Sequence, residues 1–160
     1  MPLRKLRASS FAKAMIANKV SNYCSVMPFN LYDPGYNYHT KNFHVIPALI
    51  NRFHEAKAAG SPEVVLWGMG TPRREFSYVD DKAAASVFVM RLPHSTHQAH
   101  TTPIQSHINE GFGSDMSIAE LAYAVSQCVG YTGKIVFDST KPDGATRKWM
   151  DSSCLNAMGW

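Results

Sequence analysis

Arg73 and Arg74 stand side by side after a Gly/Pro turn, and this pairing is the chain's clearest piece of anion chemistry. A planar guanidinium grips phosphate oxygens in a bidentate fork, so a turn that projects two of them suits a diphosphate. The stretch that holds them, Trp67–Asp81, closes a hydrophobic strand, turns at Gly68-Met69-Gly70-Thr71-Pro72 and runs on to Asp80 and Asp81. The same pair also fits a merely solvated surface. Trp67 beside it would either stack on a flat base or end the strand as a core residue. Lys134, Lys141, Arg147 and Lys148 gather with Asp143 around a second turn, Pro142-Asp143-Gly144. Cations with one carboxylate suit phosphate and ribose contacts, and equally an ordinary charged loop.

Other constellations carry less. Gly68-Met69-Gly70 lacks the third glycine and the helix start that a dinucleotide loop requires, because Thr71-Pro72 and a strand follow. Tyr78 and Lys82 have the Tyr-x-x-x-Lys spacing in which a lysine lowers a tyrosine's pKa for proton transfer. That chemistry needs both side chains on one helix face, and Tyr78 precedes the helix. His94, His97 and His100 recur at period three without an acidic or thiol neighbour, so no metal site is expected. His44, just ahead of a helix start, is a candidate general acid or a hydrogen-bonding histidine.

The elements that must position these groups alternate between strand and helix, which indicates an α/β unit. A weakly patterned helix is expected over residues 8–22, a strand over 24–30 and a turn over 32–36. From Asn42 to Ala59, Val45, Leu49, Phe53 and Ala56 recur at helical spacing, with Pro47 placed in the first turn and Gly60 as the stop. Residues 64–67 read as a buried strand and 76–79 as a short one. Asp80 or Asp81 is expected to cap a helix through Leu92 with Ala84, Val87, Phe88 and Arg91 on one face. A polar loop over 93–103 precedes a strand at 107–109. Ser117-Ile118-Ala119-Glu120 is a capping box opening a helix with Ile118, Leu121, Ala122 and Val125 on one side, ended by Gly130. A strand over 134–138 and a helical stub over 152–158 complete the pattern.

Bulk composition narrows the partners. With 160 residues, 45% of them hydrophobic, the chain has enough apolar surface for one core by default. Sixteen basic against twelve acidic side chains give +4, which suits a phosphorylated ligand. The basic residues are scattered, which argues against a nucleic-acid partner. Cys24, Cys128 and Cys154 are odd in number and far apart, so no disulfide framework is implied and a cytoplasmic setting is expected. The apolar runs fall well short of the roughly 20 residues that a membrane helix needs.

Several longer blocks go beyond generic pattern. Ser25–Tyr32 (Ser-Val-Met-Pro-Phe-Asn-Leu-Tyr), His44–Leu49, Arg52–Ala56, Trp67–Phe76, Val79–Asp81 and Val136–Gly144 occur in an order that closely resembles the C-terminal half of the GDP-L-fucose synthases. These belong to the extended short-chain dehydrogenase family. The resemblance covers residues 25–160 and implies a partial Rossmann-type NAD(P)-binding fold with a small α/β substrate-binding domain. Residues 1–24 would be a remnant of a cofactor-domain helix, and 25–160 the substrate-binding half with residual cofactor-domain strands. It further implies NADPH-dependent 3,5-epimerisation and 4-reduction of GDP-4-keto-6-deoxy-D-mannose by a homodimer. Pro28, Phe29, Asn30 and Leu31 would line the nicotinamide. His44 would be the acid of the epimerisation and lie near the cofactor. Arg52, Trp67, Arg74 and Lys134 would hold the GDP-sugar, with Asp143 a further contact.

The chain also departs from that pattern. The family's glycine-rich turn, catalytic serine, epimerase cysteine and final helices have no counterpart, which implies truncation at both ends. Its Tyr-x-x-x-Lys helix is best matched by Ser9-Ser10-Phe11-Ala12-Lys13, with serine where tyrosine belongs and Lys13 as the candidate catalytic lysine. Phe29 replaces a threonine, Asp33 a glycine, and Glu110 and Phe112 replace valine and threonine at a strand end. A buried glutamate without a partner would be costly. The expectation is an enzyme by family that does not turn over in these residues alone; the alternative is a non-catalytic GDP-sugar-binding remnant.

Overall fold

The computed structural model describes residues 24–35, 44–102 and 107–160. The helix expected over 8–22, with Ser9 and Lys13, lies outside them. Nine strands are described: β1 Ser25–Pro28, β2 Asn30–Tyr32, β3 Glu63–Trp67, β4 Arg73–Arg74, β5 Phe76–Tyr78, β6 His107–Glu110, β7 Met116–Ser117, β8 Lys134–Asp138 and β9 Arg147–Lys148. Five described helices alternate with them: α1 Val45–Ala58, α2 Val79–Arg91, α3 His94–His100, α4 Ile118–Val129 and α5 Ser153–Ala157. The described elements divide between two compact units, one drawn from residues 24–31, 77–102, 107–113 and 150–160, the other from 32–35, 44–76 and 114–149. Among the described residues there are two hydrophobic clusters, where chain length alone suggests one core.

In the first unit, β1 and β6 pair in parallel, from Ser25 opposite His107 to Pro28 opposite Glu110. Parallel strands need a crossover, and α2 supplies it. Its buried positions are Ala85 and Val89, which meet Ile108, Leu155 and Met158. This corrects the expected face: Ala84, Val87 and Arg91 are exposed and only Phe88 is partly covered. Alanines at 83, 84 and 85 leave the apolar stripe undefined in sequence, so the packing chooses it. The cap also differs. Tyr78 is the N-cap, while Asp80 and Asp81 sit inside the first turn and make no side-chain cap bond. There they face the positive end of the helix dipole. The expected loop over 93–103 is largely helix α3, which buries no residue and so shows no periodicity to detect.

The second unit is built on the parallel pair β3–β8, in register from Glu63 opposite Lys134 to Trp67 opposite Asp138. Helix α1 starts at Val45 with His44 as N-cap, so Pro47 falls at the third helical position, where its missing N–H forfeits no intrahelical hydrogen bond. Its Leu49, Phe53 and Ala56 pack against Val64, Leu66, Leu121, Ala122 and Tyr131. Helix α4 opens with the full capping box: Ser117 Oγ accepts from the Glu120 N–H at 3.1 Å, and the Ser117 N–H donates to Glu120 Oε2 at 2.7 Å. Gly130 closes it at φ +73°, in the left-handed region. β3 alternates strictly, with Val64 and Leu66 buried and Glu63, Val65 and Trp67 exposed. The strand expected to be buried throughout has one covered face, and Trp67 is on the other.

Candidate functional site

Trp67 is 66% exposed, which removes the core reading and leaves the indole at the surface. Strand parity causes this, because Leu66 takes the inward position next to it. The chain leaves β3 through Gly68 and Gly70, both at positive φ (+83° and +73°). That geometry suits glycine, and the turn is further fixed from outside. Asp143 Oδ1 accepts the Met69 N–H at 3.0 Å, and a Cβ at Gly68 would collide with the same carboxylate. The two turns that looked separate in sequence are therefore one structure.

β8 delivers the second turn. Asp138 Oδ1 accepts from the Thr140 N–H at 3.0 Å and its hydroxyl at 2.6 Å, an Asx-type turn that starts the Lys141–Gly144 segment. Lys141 Nζ lies 5.9 Å from the centre of the Trp67 ring, and Gly144 sits where a Cβ would be 3.0 Å from an Arg74 Nη. Trp67, Arg74, Lys141 and Asp143 thus meet beyond the C-terminal ends of a parallel strand pair, where open α/β sheets bind ligands.

The two arginines divide. β4 lies between β7 and β9, antiparallel to the first and parallel to the second. Arg73 donates to Asp115 Oδ1 at 2.9 Å, and Arg147 to Asp115 Oδ2 at 2.5 Å. Arg73 also approaches Glu120 at 3.4 Å. The hydrogen bond from Arg73, followed by that from Arg147, holds the Asp115 carboxyl below its ordinary range. Arg73 is spent on this fold-holding cluster. Arg74 makes no ion pair among the described residues; its guanidinium donates to the Arg73 carbonyl at 2.7 Å. Asp115 escaped sequence reasoning, since nothing local marks it as the partner of arginines 42 and 32 residues away.

The remaining candidates fall in stated places. Arg52, exposed on α1, donates to the Val65 carbonyl at 3.3 Å, two residues before Trp67. His44 is exposed at the start of α1. Lys134 is not brought to the lip. It opens β8 on the Glu63 rung, four residues from the Trp67 rung, or about 13 Å along the strand. In the other unit, Pro28 ends β1, and Phe29, Asn30 and Leu31 follow, all partly buried.

Glu110, on Pro28's rung, is buried, but it has a partner. Lys82 Nζ lies 3.1 Å from Oε2, and Ser86 Oγ donates to Oε1 at 3.0 Å. Lys82 donates to Ser86 at 2.6 Å, so it serves this cluster and not a Tyr78 proton relay, as the position of Tyr78 in β5 anticipates. The histidines of α3 meet backbone carbonyls: His97 Nε2 is 3.0 Å from Val89 O, and His100 Nδ1 is 2.9 Å from Thr96 O. Among the described residues there is no metal-holding cluster, and no helix is long and apolar enough to cross a membrane.

Comparison with known proteins gives this arrangement a setting. The chain is 55% identical over 139 residues to a GDP-L-fucose synthase from Escherichia coli, covering 87% of this chain and 43% of that one. It is 52% identical over 136 residues to a probable GDP-L-fucose synthase from Oryza sativa, covering 85% and 39%. It therefore spans less than half the length of these relatives. A crystal structure of a Campylobacter jejuni GDP-D-glycero-L-gluco-heptose synthase, obtained in the presence of NADPH, superposes at TM-score 0.84 with 26% identity, over 97% of this chain and 53% of that one. The parallel pairs with helical crossovers are thus elements of a Rossmann-like fold. Residues 2–104, well over half the chain, match the NAD dependent epimerase/dehydratase family, and to that family this chain belongs.

Proposed function

We propose that this chain is the GDP-sugar-binding part of a GDP-L-fucose synthase, serving NADPH-dependent 3,5-epimerisation and 4-reduction of GDP-4-keto-6-deoxy-D-mannose in the cytoplasm. The observation that carries the reading is the convergence of Trp67, Arg74 and Asp143 at one end of the β3–β8 pair. Arg74, without a competing carboxylate among the described residues, takes the diphosphate. Exposed Trp67 walls the guanosine, and Arg52 braces the strand that carries it. Asp143 holds the turn between them with one oxygen and offers the other to a ligand hydroxyl. The identity to two GDP-L-fucose synthases supports the choice of sugar nucleotide.

The segment Pro28–Leu31 follows a parallel strand's C-terminal end, the position suited to a dinucleotide, and would hold the nicotinamide. NADPH, when bound, supplies the hydride for the C4 ketone. His44, an exposed imidazole, holds and returns the proton exchanged during epimerisation. Lys134 stands away from the lip and is not assigned a contact. The working unit is a homodimer.

A second reading, GDP-sugar binding without catalysis, is favoured by Ser9 standing where the resemblance calls for a tyrosine. Calorimetric titration of GDP and of NADPH into the purified chain separates the two. Binding of both supports the enzyme, and GDP binding alone supports the second reading. Arg74→Ala should weaken GDP by about tenfold or more, the loss of a charge-assisted bidentate contact. Wild-type affinity in that variant would sink the diphosphate assignment.

A further inference from the structure

We infer that Cys24 and Cys154 form a dithiol that closes reversibly to a disulfide and fastens the C-terminal helix α5 to strand β1, a modification site independent of the GDP-sugar reading. The two cysteines belong to the same compact unit. Residues two apart on a strand share a face, so Cys24, directly before β1, lies on the side of Val26. Val26 packs on the cluster of Ala85, Val89, Ile108, Leu155 and Met158, and Cys154 packs on that same cluster. The fold thus brings to one side of the β1–β6 pair two thiols that the sequence leaves at opposite ends of the described chain.

Electrostatics agrees with this placement. Partial burial first, then the Glu110 carboxylate, then the Cys154 thiol push the Cys24 thiol above its ordinary range. Glu110 is two residues beyond Ile108 and so on the same face, and an influence of Cys154 requires the two sulfurs to be near each other. Burial and then Asp151 push the Cys154 thiol up as well. The thiolate is the attacking species, so both groups stay protonated and slow to react at neutral pH. A cytoplasmic pair of this kind stays reduced at rest and closes under sustained oxidising load. Cys128, exposed on α4, belongs to the other unit.

The chemistry is exchange with a small disulfide such as oxidised glutathione. Exposed Cys24, as thiolate, attacks one sulfur of that disulfide and releases the first glutathione, which leaves a mixed disulfide on Cys24. Cys154, as thiolate, then attacks the Cys24 sulfur and releases the second glutathione. The cysteines are oxidised, glutathione is reduced, and the two protons the cysteines lose end on the two glutathiones. What the bond fastens is otherwise weakly held. Helix α5 has five residues and no side-chain N-cap bond, too short to persist by its own backbone bonds. Leu155 and Met158 hold it in the cluster, and just ahead of it the Asp151 carbonyl accepts from Asn109 Nδ2 at 2.9 Å. Closing a loop from residue 24 to residue 154 removes chain entropy from the unfolded state and so favours the folded one.

The test equilibrates the full chain with reduced and oxidised glutathione, traps free thiols with iodoacetamide and maps disulfide-linked peptides by mass spectrometry. Wild type is compared with Cys24→Ser, Cys154→Ser and Cys128→Ser. Wild type and Cys128→Ser should yield monomers with one peptide pair joined through Cys24 and Cys154, and lose that link on reduction. In the native chain the link should survive a glutathione ratio at least about tenfold more reducing than in the urea-unfolded chain, because folding holds the thiols together. Oxidised wild type should melt about 5–15 °C above the reduced form, a gain absent from Cys24→Ser and Cys154→Ser. Mixed glutathione disulfides without the internal link, or links through Cys128 alone, would overturn the pairing. An internal link that leaves the melting temperature unchanged would overturn the fastening of α5. Both readouts are taken on wild type, so misfolding of a serine variant does not mask either result.

Discussion

Gly68→Ala tests whether the two turns of the site are one structure. Gly68 is buried at φ +83°, where a residue with a Cβ incurs about 1–2 kcal/mol of backbone strain. The new methyl would also collide with the Asp143 carboxylate and displace it from the Met69 N–H, now 3.0 Å away. That bond is exposed, so its loss adds only about 1 kcal/mol. The sum is about 2–3 kcal/mol, which lowers the melting temperature by about 4–12 °C for a chain of this length. A double-mutant cycle with Asp143→Ala separates the two causes, because strain persists without the aspartate and the collision does not. In the Asp143→Ala background the glycine substitution should cost only about 1–2 kcal/mol, leaving a coupling of about 1 kcal/mol. Urea denaturation followed by circular dichroism measures both arms. A coupling indistinguishable from zero would mean that Asp143 does not clip the turn, and the joined site would have to be abandoned.

The buried pair in the other unit makes a contrasting prediction. Lys82→Met strands the Glu110 carboxylate, whose side chain is 2% exposed, and should destabilise by about 3 kcal/mol in denaturant melts. Adding Glu110→Val should recover most of that loss, since an apolar pair of similar volume replaces two charges; no recovery would show that the site depends on the ions themselves. The Asp115 cluster predicts a pH dependence. Its folded pKa is depressed by Arg73 and then Arg147, so its stabilisation is present above the ordinary aspartate range and is lost as pH falls through the lowered value. Asp115→Asn should therefore flatten the acid limb of stability against pH, and an unchanged limb would show that other carboxylates govern it.

Much of the fold was legible because its signals are local. The capping box at Ser117 and Glu120, the stop at Gly130 and the tolerance of Pro47 each depend on residues within one or two helical turns. What escaped depends on distant partners. Glu110 looked like an uncompensated buried charge, and only the fold brings Lys82 and Ser86 to it across 24 and more residues. Helix α3 lacks an apolar face, so no pattern announced it.

The arginine pair shows where that boundary runs within the site itself. Arg73 and Arg74 are the same residue type, adjacent in the chain, and nothing in their sequence neighbourhood assigns one to the fold and the other to a ligand. Strand parity separates them by necessity, since neighbours on a strand face opposite ways. Parity alone does not say which face is satisfied. That is decided by Asp115, delivered by the segment that leads into β7, and by Arg147 arriving in register from β9. A carboxylate that saturates one face of a two-residue strand leaves Arg74, on the other face, as the one able to gain from an anion. If Arg74 takes the diphosphate as proposed, its availability is set by the placement of a single acid that need not touch the ligand.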